Sequence, residues 1–255
     1  MVEGGIVLIG KKSPSTKAIY HALASQFEGV MVVIEKRERA VTLLTRRIRR
    51  LGLLTVIGQL FFQVIIVNIL KIGSLRRVTQ IKEEYRLRED PIPSHCVSIV
   101  YSVNSPDCIE FLKRASPSVV VVSGTRIISK QVLSAIRCRF VNIHSGITPQ
   151  YRGVHGMYWA LSNGDFKSSG VTLHLIDSGI DTGEIISQKI ISPTKSDNFV
   201  TYPLLQLGEG IILLINALYT GIDNNGSERN DEKGKLWYHP TAWHYVSTFL
   251  WKGIK

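Results

Sequence analysis

Cysteine is scarce in this chain of 255 residues. The three present, Cys96, Cys108 and Cys138, stand too far apart for a disulfide framework or a thiolate zinc site. No pair of histidines sits at ligand spacing either, so no metal is expected. The first residues lack the basic start and long apolar segment of a secretory signal. With reduced cysteines, that predicts a cytoplasmic protein. Asn225-Gly226-Ser227 matches a glycosylation sequon, which carries no meaning without secretion. There is no internal repeat and no Gly-x-Gly-x-x-Gly. Gly5 to Lys11 comes near the phosphate-loop pattern, but the strand lies inside the match. Lys12 also stands where a metal-binding Ser or Thr belongs. Gly10–Ser15 therefore reads as an ordinary strand-to-helix turn. Acidic residues are few, 20 against 31 basic ones, leaving a formal charge of +11. Such a balance suits acidic partners: a polyanionic small molecule, RNA or an anionic membrane.

What is present is apolar periodicity. Hydrophobic residues make up 44% of the chain, enough for a sizeable core. Ile6–Ile9 reads as a strand, the stretch from Ser13 to about Phe27 as a helix, and Val30–Ile34 as a second strand. Strand, helix, strand opens a mostly parallel sheet with helices on both faces, a Rossmann-like α/β fold. Ser98–Tyr101 is a further strand, Ser105-Pro106 starts a helix, and Val119–Val122 is the β-branched run of a central parallel strand. Residues 36–86 form a basic helical insert. Within it Leu53–Leu70 carries no formal charge and is flanked by Arg46, Arg47, Arg49 and Arg50 before, and Lys71, Arg76 and Arg77 after. The run approaches the length of a membrane span. Gln59, Gln63 and Asn68 interrupt it, favouring a helix packed within the protein or at a homodimer interface over a membrane contact. Peripheral attachment through the arginines stays open. Tyr202–Tyr219 is an apolar helix, Asp223–Lys235 a polar link, and the aromatic tail from Leu236 to Trp251 is expected to pack on the core. Residues 1–195 are thus expected as the catalytic domain, and 196–255 as a helix and tail packed against it.

The informative stretch is 139–190. Phe140, Val141 and Ile143 read as a buried strand that carries Asn142 and His144 on one face at its end. Pro149, Arg152 and Gly153 mark a turn-rich loop, a helical pattern runs through Trp159 and Leu161, and Val171–Ile176 is another strand. Asp177, Gly179, Asp181 and Gly183 follow in a loop. Asn142-Ile143-His144, Pro149-Gln150-Tyr151-Arg152-Gly153 and Asp181-Thr182-Gly183, in that order and spacing, resemble the folate-dependent formyltransferase superfamily.

That resemblance implies 10-formyltetrahydrofolate as co-substrate and an amine as acceptor. Asn142 and His144 would stabilise the developing oxyanion, and His144 and Asp181 would handle the proton. It also points to Gly124, Thr125, Arg126, Ile127, Ile128 and Asp177 as the folate side. Tyr151, Arg152, Gly153, His155 and Tyr158 fall on the acceptor side, with His174 as a supporting residue. The family loop reads His-Pro/Ala-Ser-Leu-Leu-Pro, whereas this chain has His144-Ser145-Gly146-Ile147-Thr148-Pro149. The altered residues shape the acceptor side and weigh against purine-pathway and initiator-tRNA acceptors. The expected acceptor is a nucleotide-linked amino sugar of surface-polysaccharide (O-antigen) synthesis, with GDP-perosamine the specific choice. The alternatives are a glycinamide ribonucleotide or methionyl-tRNA formyltransferase, a formyltetrahydrofolate hydrolase, and a non-catalytic relative that binds membrane or nucleic acid. No nucleic-acid partner is expected for the enzyme.

Overall fold

The computed structural model describes residues 5–222 and 234–255. The sequon and nearly all of the polar link at 223–235 lie outside the described residues. The chain begins with β1 (Ile6–Lys11), α1 (Pro14–Ala24) and β2 (Met31–Glu35). Ser13 caps α1 by accepting the Thr16 N–H at 3.2 Å, with Pro14 in the first turn, where its missing N–H costs nothing. The basic insert then forms α2 (Ala40–Leu51), α3 (Leu53–Phe61), α4 (Val67–Gly73) and α5 (Leu75–Glu84). A π-helical turn, Phe62–Ile66, joins α3 to α4 as one rod. Next come β3 (Val97–Val100), α6 (Pro106–Ala115), β4 (Val119–Ser123), α7 (Lys130–Ala135) and β5 (Arg139–His144). They are followed by β6 (Tyr151–Gly153), α8 (Gly156–Ser162), β7 (Gly170–Leu175) and β8 (Ile185–Ile190). The chain closes with α9 (Tyr202–Thr220), β9 (Lys235–Trp237) and α10 (Ala242–Lys252).

The main sheet has seven strands in the order β3-β2-β1-β4-β5-β7-β8, and a small second sheet pairs β6 with β9. Strands β1 to β5 run parallel, whereas β7 and β8 are antiparallel additions. The valines of β4 explain its central place, because both of its faces are covered. Val119 and Val121 pack with Ile6, Leu8 and the apolar sides of α1 and α9. Val120 and Val122 pack with Val7, Ile9, Leu112 of α6 and Val132 of α7. Alternation across a strand sends successive side chains into two separate cores.

A third core joins the insert to the C-terminal part. Phe62 is wholly buried and meets the rings of Phe199 at 4.7 Å and Tyr245 at 5.0 Å. Arg77 of α5 anchors the same junction, donating from Nε to Asp197 Oδ1 at 2.8 Å and from Nη2 to Oδ2 at 3.2 Å. Burial works against a charge on Asp197, but Arg77 and Thr194 outweigh it and hold the carboxyl below its ordinary range. Because the Asp197 carboxylate is fully buried, Arg77→Ala would strand a charge. We expect a loss of about 2–3 kcal/mol in urea unfolding, reduced from the fully buried case because Arg77 is partly exposed.

Candidate active site

The site grows from the end of β5. Phe140, Asn142 and His144 share one face; Phe140 is buried in the core under α7, and the other two reach beyond it. Asn142 lies opposite Val122 of β4 on one side and His174 of β7 on the other. Cross-strand pairing therefore places Asn142 Nδ2 3.1 Å from His174 Nε2. His174 Nδ1 must carry a proton, since it donates to the Leu175 carbonyl at 2.7 Å. With the ring neutral, its Nε2 accepts from the Asn142 amide and leaves the second amide hydrogen of Asn142 for the cavity; with both nitrogens protonated, Nε2–H faces the Asp181 carboxylate instead.

His144 is 4% exposed and is held from two sides. Its Nε2–H donates to the Tyr151 carbonyl at 2.8 Å, and its Nδ1 faces Asp181 Oδ2 at 3.4 Å. The only nitrogen open to protonation is thus the one beside the carboxylate. Burial pushes the imidazole pKa down, and Asp181 partly restores it. Asp181 Oδ2 accepts the Gly153 N–H at 2.9 Å, while Oδ1 lies 3.7 Å from His174 Nε2. Burial opposes the Asp181 charge, but His174, His144 and the Gly153 N–H together lower its pKa to about 2. Asp181 itself adopts a left-handed backbone, φ 50°, on the loop after β7.

Gly153 is glycine for a visible reason. Its φ is +96°, and an added Cβ would lie 2.3 Å from the Trp237 carbonyl oxygen. Arg152 holds the same loop by donating from Nε to the Ile180 carbonyl at 2.9 Å. Tyr151 stacks on Trp237, and its hydroxyl donates to Asp165 at 3.1 Å. The turn motif therefore positions His144 and Asp181. Tyr151, Arg152 and Tyr158, read from sequence as acceptor contacts, do not line the cavity. Tyr158 is buried against Trp159, Phe199 and Tyr245, because helical spacing turns it toward α10. Gly153 and His155 do line it, and His155 Nε2 meets His239 Nδ1 at 2.9 Å. Burial first, then the His239 ring, drive the His155 pKa well below that of a free imidazole.

The cavity has a volume of about 740 Å³ and opens at the carboxyl ends of the strands. Strands β2 and β4 flank β1 on opposite sides, the topological switch point at which open α/β sheets bind ligands. Gly124, Thr125, Arg126, Ile127, Ile128 and Asp177 all line it. The polar groups of Arg126 are already engaged within the protein. Its N–H is taken by the buried Glu35 at 3.0 Å, and its guanidinium pairs with the same carboxylate at 2.8 Å. The carbonyl of Ile127 is likewise engaged by Asn104 at 2.9 Å. Asp177 Oδ1 accepts from Gly179 N and Thr182 Oγ1, shaping the loop that carries Asp181. Lys11, Leu87, Leu204, Leu207 and His239 also line the cavity, and sequence reading passed over them. Lys11 was reachable, since it ends β1 at a position where ligands gather. The other four come from segments that only the fold brings together. Among the described residues, no group of His, Cys, Asp and Glu is placed to hold a metal ion.

Residues 86–203 match the formyl transferase family, the segment that contains Asn142, His144, His174 and Asp181. A methionyl-tRNA formyltransferase from Pelotomaculum thermopropionicum is 35% identical over 117 residues, covering 46% of this chain and 37% of that protein. The chain spans less than half the length of the curated relatives it matches. A Mycobacterium tuberculosis structure, thought to be a sugar N-formyltransferase, superposes with a TM-score of 0.60 at 13% identity. That match covers 97% of this chain and 86% of the other. An N-formyltransferase from Helicobacter canadensis, in complex with folinic acid and dTDP-3-aminofucose, gives 0.52 at 18% identity. It covers 92% of this chain and 71% of that one. The architecture is the Rossmann-like fold of the formyltransferases.

Proposed function

We propose that this chain transfers a formyl group from 10-formyltetrahydrofolate to the amine of a nucleotide-linked amino sugar. One observation carries the reading: Asn142, His144, His174 and Asp181 meet at the strand ends on the floor of a cavity of the size that binds small molecules. A fold alone has no need of a buried carboxylate between two imidazoles. The apolar wall of Leu87, Ile128, Ile176, Leu204 and Leu207 suits a flat ring system. The co-substrate supplies the formyl carbon, and the residues supply the rest. The free amide hydrogen of Asn142 donates to the formyl oxygen as negative charge builds there. His144 takes the amine proton at Nδ1, where the Asp181 carboxylate stabilises the resulting cation, and a proton returns to the folate nitrogen as its bond to the formyl carbon breaks. His174 holds the Asn142 amide in its donating orientation.

The sugar reading is favoured over a tRNA acceptor by the fold neighbours. The curated methionyl-tRNA relatives match only part of their own length, so they speak for the chemistry and leave the acceptor open. The fold neighbour in complex with a dTDP-amino sugar binds an acceptor of the proposed class. GDP-perosamine is the proposed member of that class, and the cytoplasm the proposed setting. The test is a formylation assay with 10-formyltetrahydrofolate and a panel of GDP- and dTDP-linked amino sugars, read by mass spectrometry. A gain of one formyl group on a sugar amine supports the reading. Formate released without any formylated amine would assign a hydrolase, and formylation of glycinamide ribonucleotide or methionyl-tRNA alone would move the acceptor.

A further inference from the structure

We infer that α2, the α3–α4 rod and α10 form a docking face for an anionic lipid bilayer. The rod, Leu53–Gly73, is apolar and 21 residues long, yet only one side of it packs on the protein. Phe62 is wholly buried, Gly58 lies under the Trp243 ring, and Gln59 donates to the His239 carbonyl at 2.7 Å. These contacts lay the rod along the protein surface instead of leaving it free to cross a membrane. The sequence expectation of a helix packed within the protein therefore holds for the inner side alone.

The outer side carries Leu54, Ile57, Phe61, Val64, Ile69 and Ile72, all exposed, Leu54 by 77%. Its polar interruption is neutralised locally, because Asn68 Nδ2 donates to the Val64 carbonyl at 2.7 Å. α10 continues the face from Trp243, which touches the rod, through Val246 and Leu250 to Trp251, exposed by 87%. α2 is amphipathic, with Val41 and Leu44 on one side and Arg46 and Arg49 on another, but buries no residue at all. Contiguous apolar surface of this kind marks an interaction site.

Charge chooses the occupant. From 39 to 82 the chain holds nine Arg or Lys and no Asp or Glu, and from 242 to 255 it adds Lys252 and Lys255 with no acid. A second copy docked face to face would set this positive surround against itself. Anionic headgroups answer it, while the apolar side chains and tryptophans enter the boundary with the acyl chains. The face is also joined to the cavity, because the His239 held by Gln59 meets the cavity-lining His155. Docking would thus hold the active site close to the bilayer, whatever acceptor it serves.

The test is cosedimentation of the full chain with vesicles of phosphatidylcholine containing a quarter phosphatidylglycerol, and with pure phosphatidylcholine. Binding should be about tenfold weaker without the anionic lipid and should weaken as salt is raised. Ile57→Ser with Phe61→Ser should reduce it about tenfold or more, as should Arg49→Glu with Arg76→Glu. All four side chains are exposed, so circular dichroism and thermal melting should match the parent. No sedimentation with anionic vesicles, or binding that neither double variant changes, would overturn the proposal. A dimer that dissociates on Phe61→Ser, with no vesicle binding, would overturn it in favour of a second copy.

Discussion

His144→Ala and Asn142→Ala should each lower formyl transfer by about two orders of magnitude or more. The two losses arise differently. In the proposed reaction Asn142 offers the hydrogen that meets the growing charge on the formyl oxygen, so its removal should reduce kcat with little change in KM. In the proposed reaction His144 takes the proton, and its loss leaves Asp181 facing an empty space beside the Tyr151 carbonyl. Asn142 is partly exposed at the end of a strand, so Asn142→Ala should keep the fold, as a melting curve would check. His144 is buried, so His144→Gln serves as the companion variant, retaining a donor toward Tyr151 without a titratable group. Near-normal turnover in a folded Asn142→Ala protein would remove these residues from the chemistry.

Asp181→Asn should cut turnover about 10²–10³-fold, and the pH profile should show why. The carboxylate favours the charged form of His144 and so raises its pKa against the depression caused by burial. With Asp181 neutral, the His144 pKa falls further. The acid limb of kcat/KM should therefore move to lower pH while the plateau drops. A drop without movement of the limb would mean that Asp181 only shapes the loop. Stability offers an independent readout. A carboxyl lowered from about 4 to about 2 stabilises the fold above pH 4, by roughly 2 kcal/mol, and that share is lost as pH falls from 4 to 2. Asp181→Asn should lack this part of the acid transition. Its other contact, the Gly153 N–H, would then donate to a neutral oxygen.

Much of this was open to a reading of the chain alone. The continuous apolar runs of β1, β2 and β4 announce a buried parallel sheet, because strands covered on both faces admit little else. The spacing of Asn142 and His144 puts both on one strand face, since side chains alternate with a period of two. The order of the three motifs indicated the reaction class. Other features could not be read. His174 meets Asn142 only because β7 pairs antiparallel with β5 in one particular register. Tyr151 and Arg152 were expected at the acceptor and instead hold His144 and the loop of Asp181, since their reach depends on how β6 docks against β9.

The sequence by itself determined the α/β architecture, the basic helical stretch and the placing of Asn142 with His144 on one strand face, because each rests on local periodicity or composition. The tertiary structure alone decided which nitrogen of His144 is left to take a proton and how the Asp181 charge is held. It also decided which side of the Leu53–Gly73 rod stays uncovered. All three depend on contacts between residues distant in the chain, and local sequence carries no record of those distances.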